Sequence, residues 1–251
     1  MRVSLITVSY NCLNELMLTA QSVARQAVDN LEYIVVDGGS SDGTAEWLTS
    51  GNHAVTNWVS EPDSGIYEAM NKGLAMATGD VVGFLHANDT FVDANILKQI
   101  IACFCNGDID LLYADLEYVT NEAIAPKVVR YWKSGVFSMN KLRQGWMPPH
   151  PTVYFKRELL SRFGNFDTDY RISADYEWLL RVLTAGIKVE YLPVVVVQMR
   201  VGGASNKNLC SIIRKSREDW CAIKKHLSGR FSVLIMKNIR KIGQFFSRKN
   251  N

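Results

Sequence analysis

Apolar and polar positions follow two alternating rhythms over the first 120 residues. "VSLITV" (Val3–Val8) is a compact apolar run. After a polar break, Leu13, Leu16, Met17, Ala20, Val23, Ala24 and Ala27 recur at the spacing of a helix buried on one face. "YIVVD" (Tyr33–Asp37) predicts a second buried strand and "GGSSDGT" a turn, followed by "AEWLTS" as a helix that Ser41 or Asp42 can cap. A third step runs from "TNWVS" through "EPDSG" into Ile66, Ala69, Met70, Gly73, Leu74 and Ala77. "DVVGFLH" (Asp80–His86) and a helix over Asp93–Phe104 make a fourth. Strands that alternate with helices in this way build an α/β, mostly parallel sheet with helices on both faces. Ligands of such sheets bind beyond the carboxyl ends of the strands. Those ends carry Ser9-Tyr10-Asn11, Asp37-Gly38-Gly39-Ser40, Ser60-Glu61-Pro62-Asp63 and His86-Ala87-Asn88-Asp89.

After residue 110 the rhythm loosens. "DLLYADLEYV" predicts a strand, residues 121–149 an irregular, aromatic-containing excursion, and Tyr176, Leu179, Leu180 and Leu183 one helical face. With 251 residues and 47% hydrophobic content the chain can fill one large core or two small ones. The apolar run around Val194–Val197 falls far short of the ~20 residues that span a bilayer, and "MRVSLITVSYN" lacks the apolar stretch of a signal peptide, so a cytoplasmic location is expected. Cys12, Cys103, Cys105, Cys210 and Cys221 are an odd set without a C-x-x-C pair, which points to reduced structural thiols.

Charge divides the chain. From Lys207 onward 12 basic residues face 2 acidic ones, giving +10, while residues 1–206 carry −7. The tail and the body are therefore expected to do different work.

The strand-end edge carries no G-x-G-x-x-G and no G-x-x-x-x-G-K-[ST], so dinucleotide and P-loop readings lose their support. What it carries is carboxylates: Asp37, Asp63 and Asp89 at successive strand ends, and Asp175 further on. Each alone reads as a turn former or a helix cap. Together they point to a polar binding site.

"VSLITVSYN", "YIVVDGGSSDGT", "SEPDSGIYEAMNKGLAMATGDVVGFLHANDTF" and "RISADYEWLLRVL" resemble the successive blocks of the inverting family 2 glycosyltransferases, which have the Rossmann-like GT-A fold. "PHPTVYFKRELL" and "MRVGGAS" bring the resemblance nearest to bacterial enzymes of colanic-acid and other exopolysaccharide clusters. The likeness covers residues 2–205, which implies a glycosyltransferase domain over 1–206, with a nucleotide-sugar half at 1–110 and an acceptor half at 111–206, and a basic helical tail over 207–251.

The resemblance implies a role for each matched residue. Asp37 would accept an N–H of the donor's base, against which the backbone of Thr7, Val8 and Ser9 would pack. Asp63, Asn71 and Lys72 would lie near the ribose and diphosphate, although a solvent-exposed helix Lys reads equally well for Lys72. Asp89 matches the last carboxylate of a D-x-D-type block and would hold Mn²⁺ or Mg²⁺ against the leaving diphosphate. Here the chain departs from the fuller acidic pattern, because His86 and Asn88 stand where many relatives have aspartates. Asp175 matches the catalytic base that deprotonates the acceptor hydroxyl, with Glu177 in reserve, and Ser173 or Asp175 can also cap the helix. His150 and Arg200, the latter beside Gly202 and Gly203, match blocks suited to acceptor or phosphate positioning. Arg181 reads as structural. The implied activity is metal-dependent, inverting transfer of a sugar from a UDP- or GDP-sugar to a lipid-linked saccharide. A non-catalytic sugar-nucleotide-binding or scaffold protein with a degenerate metal site is the alternative.

In the tail, Phe231, Ile235, Ile239, Ile242 and Phe246 form one apolar stripe, and Lys237, Arg240, Lys241 and Arg248 fall on the other side. Residues 228–251 thus read as a membrane-surface helix, or as one docked on the protein's own core. Nucleic acid is not an expected partner, because the aromatics do not interleave with the basic residues as a stacking surface needs.

Overall fold

The computed structural model describes residues 1–51, 53–122, 126–201, 209–229 and 231–243. Strands β1 (Val3–Ser9), β2 (Leu31–Asp37), β3 (Asn57–Ser60) and β4 (Val81–Phe84) form a parallel half-sheet in the order β3-β2-β1-β4. Every residue of β1 is buried, which is why its sequence is continuously apolar or small rather than alternating. Beyond β4 the direction changes. β8 (Tyr154–Lys156) runs antiparallel to both β4 and β6 (Leu111–Val119), β6 lies parallel to β9 (Val189–Arg200), and β5 (Asp89–Phe91) closes the edge antiparallel to β9. β7 (Val128–Trp132) pairs with β6 inside the stretch expected to be irregular.

Two apolar layers cover the sheet. Helix α1 (Leu13–Ala24) and α4 (Ile96–Asn106) pack on one face with Leu5, Tyr33, Val35 and Leu85. On the other, α3 (Ile66–Met76) and α7 (Ala174–Leu183) bury Tyr67, Met70, Trp178 and Leu180 against Ile6, Val36 and Phe84. Gly73 is where α3 touches β1, since an added Cβ would lie 2.5 Å from Ile6 Cγ2. The short helices α2 (Thr44–Thr49), α5 (Met139–Leu142) and α6 (Glu158–Phe163) complete the body.

Capping differs from expectation. Gly43 occupies the N-cap of α2 without a side-chain bond; Asp42 instead accepts from Thr44 N–H at 3.2 Å and ties in Leu13 N–H at 2.8 Å. Ser173 precedes α7 without capping it, and Asp175 sits inside the first turn.

Beyond residue 206, one of the two expected arrangements of the tail, docking on the protein's own core, is seen over the described residues. Helix α8 (Leu209–His226) packs on α7, and α9 (Phe231–Gly243) packs on α8. Lys237, expected on an outer basic face, is buried: its Nζ is 2.7 Å from Asp219 and 3.1 Å from the centre of the Tyr176 ring. Val233 is fully buried beside it, so this face of α9 docks on the core. The stripe of Phe231, Ile235 and Ile239 faces outward. Gly202, Gly203, Phe246 and Arg248 lie outside the described residues, as do the side chains of Cys210, Arg240, Lys241 and Ile242.

Candidate active site

The parallel strands deliver Asp37 and Ser60 side by side at the ends of β2 and β3. Asp37 is wholly buried. Its carboxylate accepts from Ser40 N–H at 2.9 Å, from Ser60 Oγ at 2.7 Å and from Ser40 Oγ. The sequence reading gave this oxygen pair to a ligand; the structure gives it to the 38–41 turn, which it holds in shape. Thr7 is likewise committed, donating to the Leu85 carbonyl at 2.6 Å beneath the sheet edge. Val8 and Ser9 follow it at the strand end, where the Ser9 carbonyl accepts from Gly38 N–H at 2.9 Å.

Asp63 lies on Gly38 so closely that a Cβ there would meet its Oδ2 at 2.6 Å, and Gly65 N–H donates to its Oδ1 at 2.9 Å. Two residues that sequence reasoning missed frame this turn. Tyr10, 65% exposed, has its ring beside Gly38, and Arg171 donates to the Ser64 carbonyl at 2.6 Å. Lys72 joins this turn, donating to the Pro62 carbonyl at 3.1 Å, while Asn71 does not. Asn71 exchanges both side-chain hydrogen bonds with the backbone of Phe166, at 2.9 and 3.1 Å, and Lys72 pairs with Glu61 at 2.9 Å.

A second cluster forms where the ends of β4, α3 and α7 converge with the 3-10 turn His150–Thr152. His86 and His150 stack at 5.9 Å with their planes 22° apart, and both rings pack on Phe84. Phe166, positioned by Asn71, meets His150 at 5.8 Å. Burial pulls His86 down to about 4, with His150 adding to the shift, and burial also lowers His150 against the pull of Asp175, so both rings are neutral at neutral pH. Tyr67 Oη is 2.8 Å from Asp175 Oδ1. Burial alone would raise Asp175, yet His150, Lys215, the Tyr67 hydroxyl and the Tyr176 N–H hold it below the usual carboxylate range. The result is a half-buried anion at a helix N-terminus, charged at neutral pH and backed by hydrogen-bond donors.

The loop entering α7 is fixed from α8. Glu218 accepts from the N–H groups of Arg171, Ile172 and Ser173 at 3.1, 2.8 and 2.9 Å. No sequence signal pointed to Glu218, because it lies beyond the blocks that carry the family pattern.

A model of "Glycosyl transferase family 2" matches residues 4–160, more than half of the chain, and these include Asp37, Asp63, Tyr67, His86 and His150. The chain belongs to glycosyltransferase family 2. It is similar to an uncharacterized glycosyltransferase of Mycobacterium tuberculosis, 35% identical over 182 residues that cover 71% of this chain and 68% of the relative. A UDP-Glc:alpha-D-GlcNAc-diphosphoundecaprenol beta-1,3-glucosyltransferase of Escherichia coli is 30% identical over 163 residues, covering 64% and 63%. Among solved structures, a mannosyltransferase of Pyrobaculum calidifontis in complex with GDP-Man and Mn²⁺ superposes with a TM-score of 0.66 at 20% identity, over 94% of this chain and 68% of that one. That likeness supports the GT-A fold.

In this family 2 glycosyltransferase the residue expected to hold a metal is not aimed at the cluster. Asp89 is 3% exposed in β5, level with Met199 of β9 and Tyr118 of β6, and both of those pack in the α1–α4 layer. His86 stacks in the opposite layer. Asp89 Oδ2 has no hydrogen-bond partner, and burial lifts its carboxyl well above the usual range, toward the neutral form. A hard divalent cation takes several oxygen ligands, but among the described residues no three of His, Cys, Asp and Glu converge. Asp89, expected to hold the metal together with the donor's phosphates, is buried in the α1–α4 layer away from His86, and its carboxyl does not fit a hard cation as arranged.

The reserve candidates also turn away. Glu177 is fully buried, bonded to Arg181 and His226 at 2.7 Å and to Lys225 at 3.1 Å, and these partners hold its carboxyl at about 2 against the effect of burial. Arg181 is structural, as expected: it donates to the Phe163 and Asn165 carbonyls. Arg200 donates to the Glu122 carbonyl at 2.6 Å beside the β6–β7 pair.

Proposed function

We propose that this glycosyltransferase moves a sugar, with inversion, from a UDP- or GDP-linked donor to a saccharide carried on a lipid diphosphate, and that Asp175 is its general base. The observation that carries the reading is the setting of Asp175: a carboxylate at the first turn of α7, bonded by the Tyr67 hydroxyl and supported by Lys215 and the Tyr176 N–H, at the open end of the parallel strands. In the reaction the acceptor hydroxyl oxygen bonds to the anomeric carbon as the bond to the diphosphate oxygen breaks. The hydroxyl proton passes to Asp175, and the diphosphate leaves with the electron pair. The donor would lie along the 38–41 and 61–65 turns, with Tyr10 offering a face for the base, Asp63 reaching the ribose and Arg171 supplying positive charge. His86, His150 and Phe166 would form the floor against which the sugars are oriented.

The nucleotide classes and the lipid acceptor come to this chain from what its relatives bind or act on. A membrane-surface site for the reaction is supported by α9, whose Phe231, Ile235 and Ile239 are 58%, 47% and 53% exposed. No helix among the described residues is long and apolar enough to cross a membrane.

The test is transfer from UDP-glucose, UDP-N-acetylglucosamine and GDP-mannose into a bacterial lipid extract, with the anomeric configuration of the product read by NMR. Inverted product from the native chain and ~10²–10⁴-fold less from Asp175→Asn is the expected result, since a positioned base contributes that much. Retained transfer by a folded Asp175→Asn protein would remove Asp175 from this role. Nucleotide binding without any turnover would favour the non-catalytic alternative.

A further inference from the structure

Tyr67 carries one hydroxyl proton but has two acceptors. Its Oη lies 2.8 Å from Asp175 Oδ1 and 2.7 Å from the Ile172 carbonyl oxygen, and a phenol can donate to only one of them at a time. The ring is 8% exposed and packs on Phe166 at 5.9 Å, so the hydroxyl is held between the two oxygens by the body of the side chain. Ile172 belongs to the loop that Glu218 pins from α8, which fixes the second acceptor as firmly as α7 fixes the first. We propose that Tyr67 is a positioning residue that keeps Asp175 hydrogen-bonded in both of its protonation states. While Asp175 is ionised, the phenol donates to it. Once Asp175 has taken a proton, the phenol turns to donate to the Ile172 carbonyl and its own oxygen accepts from the new carboxyl O–H. No proton is gained or lost by Tyr67 in this exchange, and only the torsion of its hydroxyl changes.

This rests on the reading of Asp175 as the base, and it explains how a half-buried carboxylate can receive a proton without leaving an oxygen unpaired. Burial pushes the Tyr67 phenol far up, with the Asp175 charge pushing it further, so Tyr67 stays a neutral donor and acceptor at all working pH values. The other charged and titratable groups around Asp175 are His150 from the 3-10 turn, His86 beyond β4, Lys215 and Glu218 from α8 and Arg171 in the entering loop. None of them is bonded to both Asp175 and the Ile172 carbonyl.

The test needs no knowledge of the substrate. The full chain is labelled with carbon-13 at aspartate side-chain carboxyls, the Asp175 signal is assigned by its loss in Asp175→Asn, and its titration is followed in the native protein and in Tyr67→Phe. The native midpoint is expected below the ordinary value of 3.8. In Tyr67→Phe it should rise by about one pH unit, a tenfold change, because both bonds are lost and the one to the charged form is the stronger. Where Tyr67→Phe does not fold, a ring-fluorinated tyrosine at position 67 keeps the shape, strengthens the donor and should lower the midpoint. A purely structural role would lower the melting temperature and leave the midpoint in place, and a midpoint unmoved in both variants overturns the proposal. Transfer by Asp175→Asn, measured in parallel with UDP-glucose and lipid extract, separates the two readings. Full activity there removes the base and Tyr67 with it, whereas an inactive Asp175→Asn with an unmoved Tyr67→Phe midpoint removes Tyr67 alone.

Discussion

Replacing Glu218 with alanine tests whether α8 is part of the catalytic body. The native carboxylate takes three backbone N–H donors from residues 171–173 at 2.8–3.1 Å, immediately before the helix that carries Asp175. A hydrogen bond to a charged group contributes roughly 1.5–3 kcal/mol. Water can replace the carboxylate at the exposed Arg171 N–H, but less well at Ile172 and at buried Ser173, so about two of the three bonds are lost in full. The expected destabilisation is therefore ~3–6 kcal/mol. For a domain of this size 1 kcal/mol corresponds to roughly 2–4 °C, which places the fall in melting temperature at about 6–24 °C. Glu218→Gln keeps a neutral acceptor and should lose roughly half as much. The same loop sets the first turn of α7, so kcat should fall further than stability alone accounts for, by up to ~10²-fold for a displacement near 1 Å. Calorimetry together with donor turnover at 25 °C measures both. A Glu218→Ala protein melting within about 1 °C of the native one would refute the reasoning, because the three bonds would then contribute nothing net.

Two further outcomes follow from buried and exposed groups. Asp89 has a raised pKa in the folded state, so the stability it lends is complete below its ordinary value of 3.8 and is lost as pH rises toward the folded value. Asp89→Asn cannot ionise, so its melting temperature should gain on that of the native protein as pH is raised above the ordinary carboxylate value of 3.8; a gap independent of pH would contradict this, and a loss of metal-stimulated transfer would restore Asp89 as a ligand. Replacing Ile235 and Ile239 together with serine should weaken sedimentation with anionic vesicles while changing the melting temperature little, since both side chains are about half exposed, whereas Phe231 also packs on Trp220. Unaltered sedimentation would assign the stripe another role.

The elements legible in the sequence were those with a long period. The first four strands and the helices between them could be placed from spacing because β1, β2 and β4 are buried along nearly their whole length, β3 is a short run between turn residues, and each helix buries one stripe. Strand β5 was not legible, since three residues contain no period, and β7 lay in a stretch whose exposed, mixed side chains do not alternate cleanly. Of the candidate site, Asp63 and His86 were placed beyond strand ends and Asp175 at a helix start, where the structure has them, while the turn carrying His150 had no element assigned to it. Tyr67 escaped because an aromatic at helical spacing reads as core, which its ring also is.

The sequence by itself determined the alternation of strands and helices, the family and the edge at which polar residues collect, because these depend on local periodicity and on motifs short enough to be read in one dimension. Which way each carboxylate faces was decided by the tertiary structure. Asp37, Asp63, Asp89 and Asp175 look alike as letters, yet one braces a turn, one lies on a glycine, one buries an oxygen without a partner and one is bonded by a tyrosine from a distant segment. The side-chain period of a strand is two, so a single step along the chain moves a carboxylate from one layer to the other. Its charge then depends on neighbours up to 108 residues away, and only folding brings those neighbours together.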